Sequence, residues 1–99
     1  MMQNNLSSKG EYYIAVFNSK NHAVRLNYLL EKKGYRKFKL ISTPCSLSNG
    51  CSYSLRFNNL TDLEYLKREA SDFKQILNSI YEVQRLNGRK AYKRISYLI

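Results

Sequence analysis

Hydrophobic and polar residues alternate along this chain in two different periods, which predict strands and helices in turn. The segment 11–19 (EYYIAVFNS) is almost continuously apolar and rich in strand formers, so it predicts a buried strand. Leucines and an alanine then recur at helical spacing and predict a first helix over 20–33. Ser19 or Asn21 is a suitable N-cap for this helix, and Gly34 is a suitable stop.

The middle of the chain has the alternation of half-buried strands. Segment 36–43 predicts a second strand that ends at Pro44, because proline cannot donate to a strand ladder. Asn49-Gly50 is typical of a hairpin turn, and segment 51–57 then alternates again. One face of this third strand, expected to point into the core, carries Cys51, Tyr53, Leu55 and Phe57; the other carries Ser52, Ser54 and Arg56.

A second helix is predicted over 62–77, opened by a capping box from Thr61 to Glu64. Segment 80–86 (IYEVQRL) then predicts a last core strand. Asn87-Gly88 turns the chain into a basic segment that could add an edge strand or a short helix.

The resulting order β-α-β-β-α-β predicts an α+β fold. It is the order of the ferredoxin-like βαββαβ sandwich, in which two helices cover one face of a four-stranded antiparallel sheet. The first and third strands are then central antiparallel neighbours. We expect a disordered lead-in over 1–10, a ferredoxin-like domain over 11–86 and a basic C-terminal extension over 87–99.

The charge and composition limit the possible partners and the cellular location of the protein. The formal net charge is +10, which indicates either an ordinary solvated basic surface or a surface that attracts nucleic acid, phosphates or an acidic protein partner. No apolar run approaches the roughly 20 residues that cross a bilayer, and the N-terminus lacks the apolar core of a signal peptide. We therefore expect a cytoplasmic protein with reduced thiols and no membrane contact.

Several classes of chemistry are disfavoured by the residues. One histidine and two cysteines make a weak zinc site, so no metal is expected. The chain also lacks paired catalytic carboxylates, a phosphate-binding glycine loop, a catalytic triad and a dinucleotide fingerprint, so we expect neither a cofactor nor a classical metabolic enzyme.

The candidate chemistry lies at the turn between the second and third strands. If the first and third strands are antiparallel neighbours, Cys51 lies near the start of the first helix, around Ser19 to His22. A helix N-terminus carries partial positive charge and free N–H groups, which lower the pKa of a thiol. Lys20, Asn21 and Arg56 would belong to the same electropositive setting, and His22 could serve as base or cationic partner.

Each of these residues also has an ordinary structural interpretation. Cys51 shares the parity of core residues and could be a small buried hydrophobe. Cys45 could resolve an oxidised or persulfidated Cys51, or it could be a dispensable loop thiol. His22 could be a surface residue of the helix.

Two motifs carry a resemblance to a known family. The first is an aromatic-x-Ser followed by His-Ala, at Phe17, Ser19, His22 and Ala23; the second is Thr-Pro-x-x-Leu-Ser-x-x-Cys, from Thr43 to Cys51. Over about residues 12–83 the chain resembles the selenium/sulfur carrier-like family of small bacterial proteins. The resemblance implies that Cys51 carries sulfur or selenium as a persulfide or selenopersulfide, and that the partners are donor and acceptor proteins.

Two positions depart from the family pattern. Ser52 stands beside the carrier cysteine where the family usually has glycine, and Asn27 stands where it usually has glutamate. If the position beside the thiol needs a positive φ, Ser52 restricts the backbone there, because serine adopts that conformation less readily than the glycine of the family.

Two other functions remain open at this point. RNA-recognition domains share the βαββαβ order and stack bases on strands one and three, where this chain has Tyr12, Tyr13 and Tyr53. However, segment 49–57 (NGCSYSLRF) matches the RNA-binding strand signature poorly, and Tyr53 is expected to face the core, so nucleic acid is not favoured. The third possibility is a non-catalytic interaction domain that forms a homo-oligomer through a sheet edge or through the open face of the sheet.

Overall fold

A computed structural model describes residues 10–47 and 52–95 of the chain. These residues form one antiparallel sheet of five strands, in the order β2-β3-β1-β4-β5, with three helices. The elements in chain order are β1 Tyr12–Phe17, α1 Lys20–Lys32, β2 Lys39–Ser42, β3 Tyr53–Phe57, α2 Leu63–Glu69, α3 Phe73–Ile76, β4 Leu77–Leu86 and β5 Arg89–Arg94. The predicted α+β class is confirmed, with one strand and one helix more than expected.

The central strand, β1, is buried at every position, which explains its continuous apolar sequence. Tyr13, Ala15 and Phe17 pack into the main core under the helices. Tyr12 and its alternate neighbours Ile14 and Val16 belong to a second apolar cluster on the opposite face of the sheet. A strand covered on both faces shows no alternation, because both sets of side chains are apolar.

Helix α1 forms as the sequence predicts. Ser19 is its N-cap, with an extended backbone, and its hydroxyl accepts a hydrogen bond from the Asn21 amide at 3.3 Å. The buried face consists of Ala23, Leu26 and Leu30, which follow the i, i+3, i+4 spacing of an amphipathic helix. The helix ends at Lys32, and after the C-cap Lys33 comes Gly34, whose φ of +85° is the left-handed conformation that glycine adopts without steric cost.

The prediction of one helix over 62–77 is wrong. A 3₁₀ turn at Leu60–Asp62 runs directly into α2, so Thr61 is not the N-cap of that helix. Ala70 is extended, with φ −129° and ψ 105°, and separates α2 from α3.

A tertiary contact stops α3. Asn18, just after β1, donates from its backbone amide to the carbonyl of Ile76 and from its side chain to that of Gln75, both at 2.9 Å. These bonds take carbonyls that a continuing helix would use itself, and β4 starts at Leu77 rather than at residue 80.

The C-terminal basic segment becomes the fifth strand rather than a helix. Asn87 and Gly88 have φ values of +53° and +79°, the conformation of a tight hairpin turn. They connect β4 to β5, which pairs with it from Leu86↔Arg89 to Tyr81↔Arg94. The expected four-stranded sheet is therefore extended by an edge strand. None of the helices in the described ranges is long and apolar enough to cross a membrane.

Candidate functional site at the thiol-bearing loop

The connection from β2 to β3 carries both cysteines and is closed at its base. The backbone amide of Thr43 donates to the Ser52 carbonyl at 2.9 Å. The hydroxyls of Thr43 and Ser54 are hydrogen-bonded at 2.5 Å, and both residues are buried. These bonds hold the two described ends of the loop together at the edge of the sheet.

The first half of the loop is a 3₁₀ turn, Cys45–Leu47, closed by a bond from the Leu47 amide to the Pro44 carbonyl at 2.9 Å. Cys45 is a free, exposed thiol, as expected for a loop position. Leu47 packs against the second apolar cluster, on the sheet face away from the helices. The predicted carrier Cys51 and its neighbour Gly50 lie outside the described residues.

Strand β3 is the antiparallel neighbour of β1, as the sequence predicts. Val16, near the end of β1, pairs with Ser54, near the start of β3. The chain then passes from β1 through Asn18 and Ser19 into α1. The base of the thiol-bearing loop and the N-terminus of α1 therefore lie at the same end of the sheet.

The predicted anion-binding residues at this N-terminus have defined local roles. Ser19 is half-buried as the N-cap, whereas Lys20 and Asn21 are exposed. The amides of Asn21 and His22 are hydrogen-bonded to the Ser19 hydroxyl and to its carbonyl, at 3.3 and 3.1 Å. Two of the amides that could face an anion are thus bonded within the cap, while the charge of Lys20 stays accessible to solvent.

His22 lies in a cleft of about 280 Å³ between α1 and the connection from α2 to α3. Arg25, Glu69 and Asp72 also line this cleft. The helix α3 runs into β4, which borders β1 on the side opposite to β3. The lining of this cleft therefore groups His22 with the α2–α3 connection.

Arg56 and Tyr53 differ from their expected surroundings. Arg56 pairs with Ile14 and Lys39, and its guanidinium carbon lies 3.8 Å from the centroid of the Tyr12 ring, on the face away from the helices. Tyr53 was expected in the core but is 39% exposed. It is the first residue of β3 and lies beyond the last pair with β1. Its side chain therefore points to the helix side of the sheet, as the alternation predicts, but it lies where β1 no longer covers it.

The bond between Thr43 and Ser54 was not predicted from the sequence. The sequence contained two signals for it: Ser54 lies within a predicted strand, and Thr43 ends the preceding strand just before Pro44. A buried hydroxyl needs a partner, and the β2–β3 register supplies one. Within residues 10–47 and 52–95, no group of three or more His, Cys, Asp and Glu side chains is placed to hold a metal ion.

Comparison with known protein families gives a match over most of the chain. The family model described as "Putative Se/S carrier protein-like" matches residues 12–82, from the start of β1 into β4. Comparisons with curated proteins and with solved structures give no significant match. The matched range contains the whole thiol-bearing loop and α1.

Proposed function

Since this chain belongs to the Se/S carrier protein-like family, we propose that it carries sulfur or selenium on Cys51, with Cys45 as a second thiol of the same loop. The observation that carries the proposal is the closed base of that loop, where Thr43 bonds to both Ser52 and Ser54. Because both ends of the loop are anchored on adjacent strands, a partner would reach its thiols without movement of the sheet. The strand order β2-β3-β1-β4 supports a ferredoxin-like arrangement for this part of the fold.

Loading is a sulfur transfer between thiols. The Cys51 thiolate attacks the outer sulfur of a donor persulfide, R–S–SH. The S–S bond of the donor breaks, a new S–S bond forms on Cys51, and the donor leaves as its thiolate. No external oxidant or reductant takes part, and an acceptor thiolate removes the terminal sulfur by the same reaction.

Electrostatics support this role. The carried persulfide would be an anion at neutral pH, and positive potential stabilises it. The N-terminus of α1, with the exposed Lys20, lies at the same end of the sheet as the base of the loop. The formal net charge of +10 would also attract an acidic donor or acceptor protein.

Cys45 supplies a way to release the sulfur. Its thiolate can attack the inner sulfur of a Cys51 persulfide, which forms a disulfide between the two cysteines and expels hydrosulfide. A cellular thiol would then reduce that disulfide. Cys45 suits this part because its thiol is exposed and lies in the loop that leads to residue 51.

The test is the intact mass of the protein after incubation with a persulfide donor, measured with and without reductant. We expect the wild type to gain the mass of one sulfur atom, on the peptide that contains Cys51, and to lose it to reductant. The Cys45→Ser variant should keep the gain for longer, and the Cys51→Ser variant should show none. A gain that persists in Cys51→Ser, or that maps to Cys45, would contradict the proposal.

A further inference from the structure

The sheet face opposite the helices has a buried apolar centre and a basic margin. Its centre is the second apolar cluster around Ile14 and Val83. The strand registers place further side chains on the same face. We call this set the basic face: Lys39, Arg56, Arg85, Lys90 and Arg94, with the half-buried rings of Tyr81 and Tyr92.

Negative charge is segregated to the other side of the molecule. Of the chain's seven acidic residues, all of them within the described ranges, Glu11 is the one beside the basic face, and it pairs with Arg85 at 3.2 Å. Glu82 pairs in register with Tyr13 and so points to the helix side, and the others lie in the helical layer. In the described part of the chain, no acidic side chain is within ion-pair distance of Lys39, Arg56, Lys90 or Arg94.

The cationic side chains lie on an interior strand as well as on the two edge strands of the sheet. One register row runs over all five strands through Lys39, Arg56, Ile14, Tyr81 and Arg94. With strands about 4.8 Å apart, this row is about 19 Å long. Edge lysines and arginines are a common protection against strand pairing, but that role does not explain Arg56, which lies on the interior strand β3.

Aromatic rings lie among these cations. Tyr81 and Tyr92 occupy neighbouring diagonal positions on β4 and β5, because Tyr92 pairs with Val83. The Lys90 ammonium lies 5.7 Å from the Tyr12 ring, whose other cationic neighbour is Arg56. Cations in a row with partly accessible rings between them are the composition of surfaces that bind single-stranded nucleic acid.

We propose that the basic face binds single-stranded nucleic acid, with phosphates on Lys39, Arg56, Lys90 and Arg94 and a base stacked on Tyr92 or Tyr81. An acidic protein would use the same cations, but it would have no need for the rings. The proposal does not rest on the thiols, because the basic face and its pairings involve neither cysteine.

The main test measures fluorescence anisotropy of a labelled single-stranded RNA, and of the matching DNA, of about 16 nucleotides. The basic-face variant is Lys39→Gln/Lys90→Gln/Arg94→Gln. The matched control, Lys32→Gln/Arg68→Gln/Lys74→Gln, removes the same charge from exposed positions of the helical layer. Thermal unfolding of all three proteins shows whether each remains folded.

We expect the wild type to bind at about 50 mM salt and to weaken as salt rises. The basic-face variant should bind at least about tenfold more weakly, and its slope of log K against log salt should fall by about 2, since each phosphate contact on a single strand contributes about 0.7. The control should stay within about twofold of the wild type. No binding by the wild type, or an equal loss in the control, would overturn the proposal.

A second variant separates nucleic acid from an acidic protein partner. Tyr92→Leu should weaken binding about tenfold while the salt slope stays unchanged, because stacking is not an ionic contact. If neither Tyr92→Leu nor Tyr81→Leu weakens binding and polyglutamate displaces the RNA at equal charge concentration, the face serves an acidic protein and the proposal is wrong. The Cys45→Ser/Cys51→Ser variant should bind RNA normally, so failure of the carrier function would not affect this result.

Discussion

Replacing Ser54 with alanine should destabilise the protein, because it leaves the buried hydroxyl of Thr43 without its hydrogen-bond partner. The Ser54 side chain is fully buried, and its hydroxyl bonds at 2.5 Å to that of Thr43, which is 7% exposed. Once the serine hydroxyl is gone, the Thr43 hydroxyl stays buried without that partner. The cost of such an unsatisfied group is about 1–3 kcal/mol.

The structure also predicts how two changes combine. Thr43→Val keeps the shape of the side chain but leaves the buried Ser54 hydroxyl without its hydrogen-bond partner. It should therefore lower the free energy of unfolding by a similar amount. In the double variant Thr43→Val/Ser54→Ala both polar groups are absent, and its free energy of unfolding should lie close to that of the wild type. The two single effects, about 1–3 kcal/mol each, should therefore fail to add, and the coupling energy should approach their sum, about 2–6 kcal/mol.

Urea unfolding followed by circular dichroism measures all four proteins. A loss of 2 kcal/mol corresponds to a drop in Tm of about 8–16 °C for a domain of this size. Ser42→Ala, at an exposed position of β2, is the control and should change stability by less than about 0.5 kcal/mol. Single variants that each cost less than this control limit, or a double variant that shows their full sum, would refute the anchoring role of the hydroxyl pair.

Two further predictions concern the hairpin and an ion pair. Gly88→Ala should cost about 1–2 kcal/mol in thermal unfolding, because φ is +79° there, while Asn87→Gly should be nearly neutral; equal stability of Gly88→Ala and the wild type would show that the turn relaxes. A hydrogen bond and the charge of Glu69, 2.7 Å away, raise the pKa of Lys33. Because the pKa of Lys33 is raised in the folded state, the stability gained from its ion pair with Glu69 is complete below the usual lysine value of about 10.4. It is lost as the pH rises through the folded pKa. The Tm difference between the wild type and Lys33→Met should therefore be constant from neutral pH to about 9 and shrink above about 10.4; a difference that already shrinks near neutrality would exclude the pair as its source.

The elements that could be predicted depend on short stretches of chain. The helix α1 has its cap, its buried stripe and its stop within 16 consecutive residues, Ser19–Gly34. The strand β1 needs no partner to be recognised, since both its faces are apolar. From the strand order alone, the sequence also placed the start of β3 beside the end of β1.

The elements that were predicted wrongly depend on distant residues. Helical spacing of Leu66, Ala70 and Phe73 is satisfied by burial in one core, whether or not the helix is continuous. The end of α3 is set by Asn18, which is 57 positions from the nearer carbonyl that it bonds. A local pattern contains no information about such a contact.

By itself, the sequence determined the α+β class, the alternation of elements, the family motifs and the presence of two thiols near one turn. Only the tertiary structure decided which cations share a face, that Arg56 lies against Tyr12 rather than beside the start of α1, and that Thr43 and Ser54 close the loop. The physical reason is the pairing of strands. Register brings residues from all five strands into one row, and a shift by one residue in any strand would place its cations on the other face.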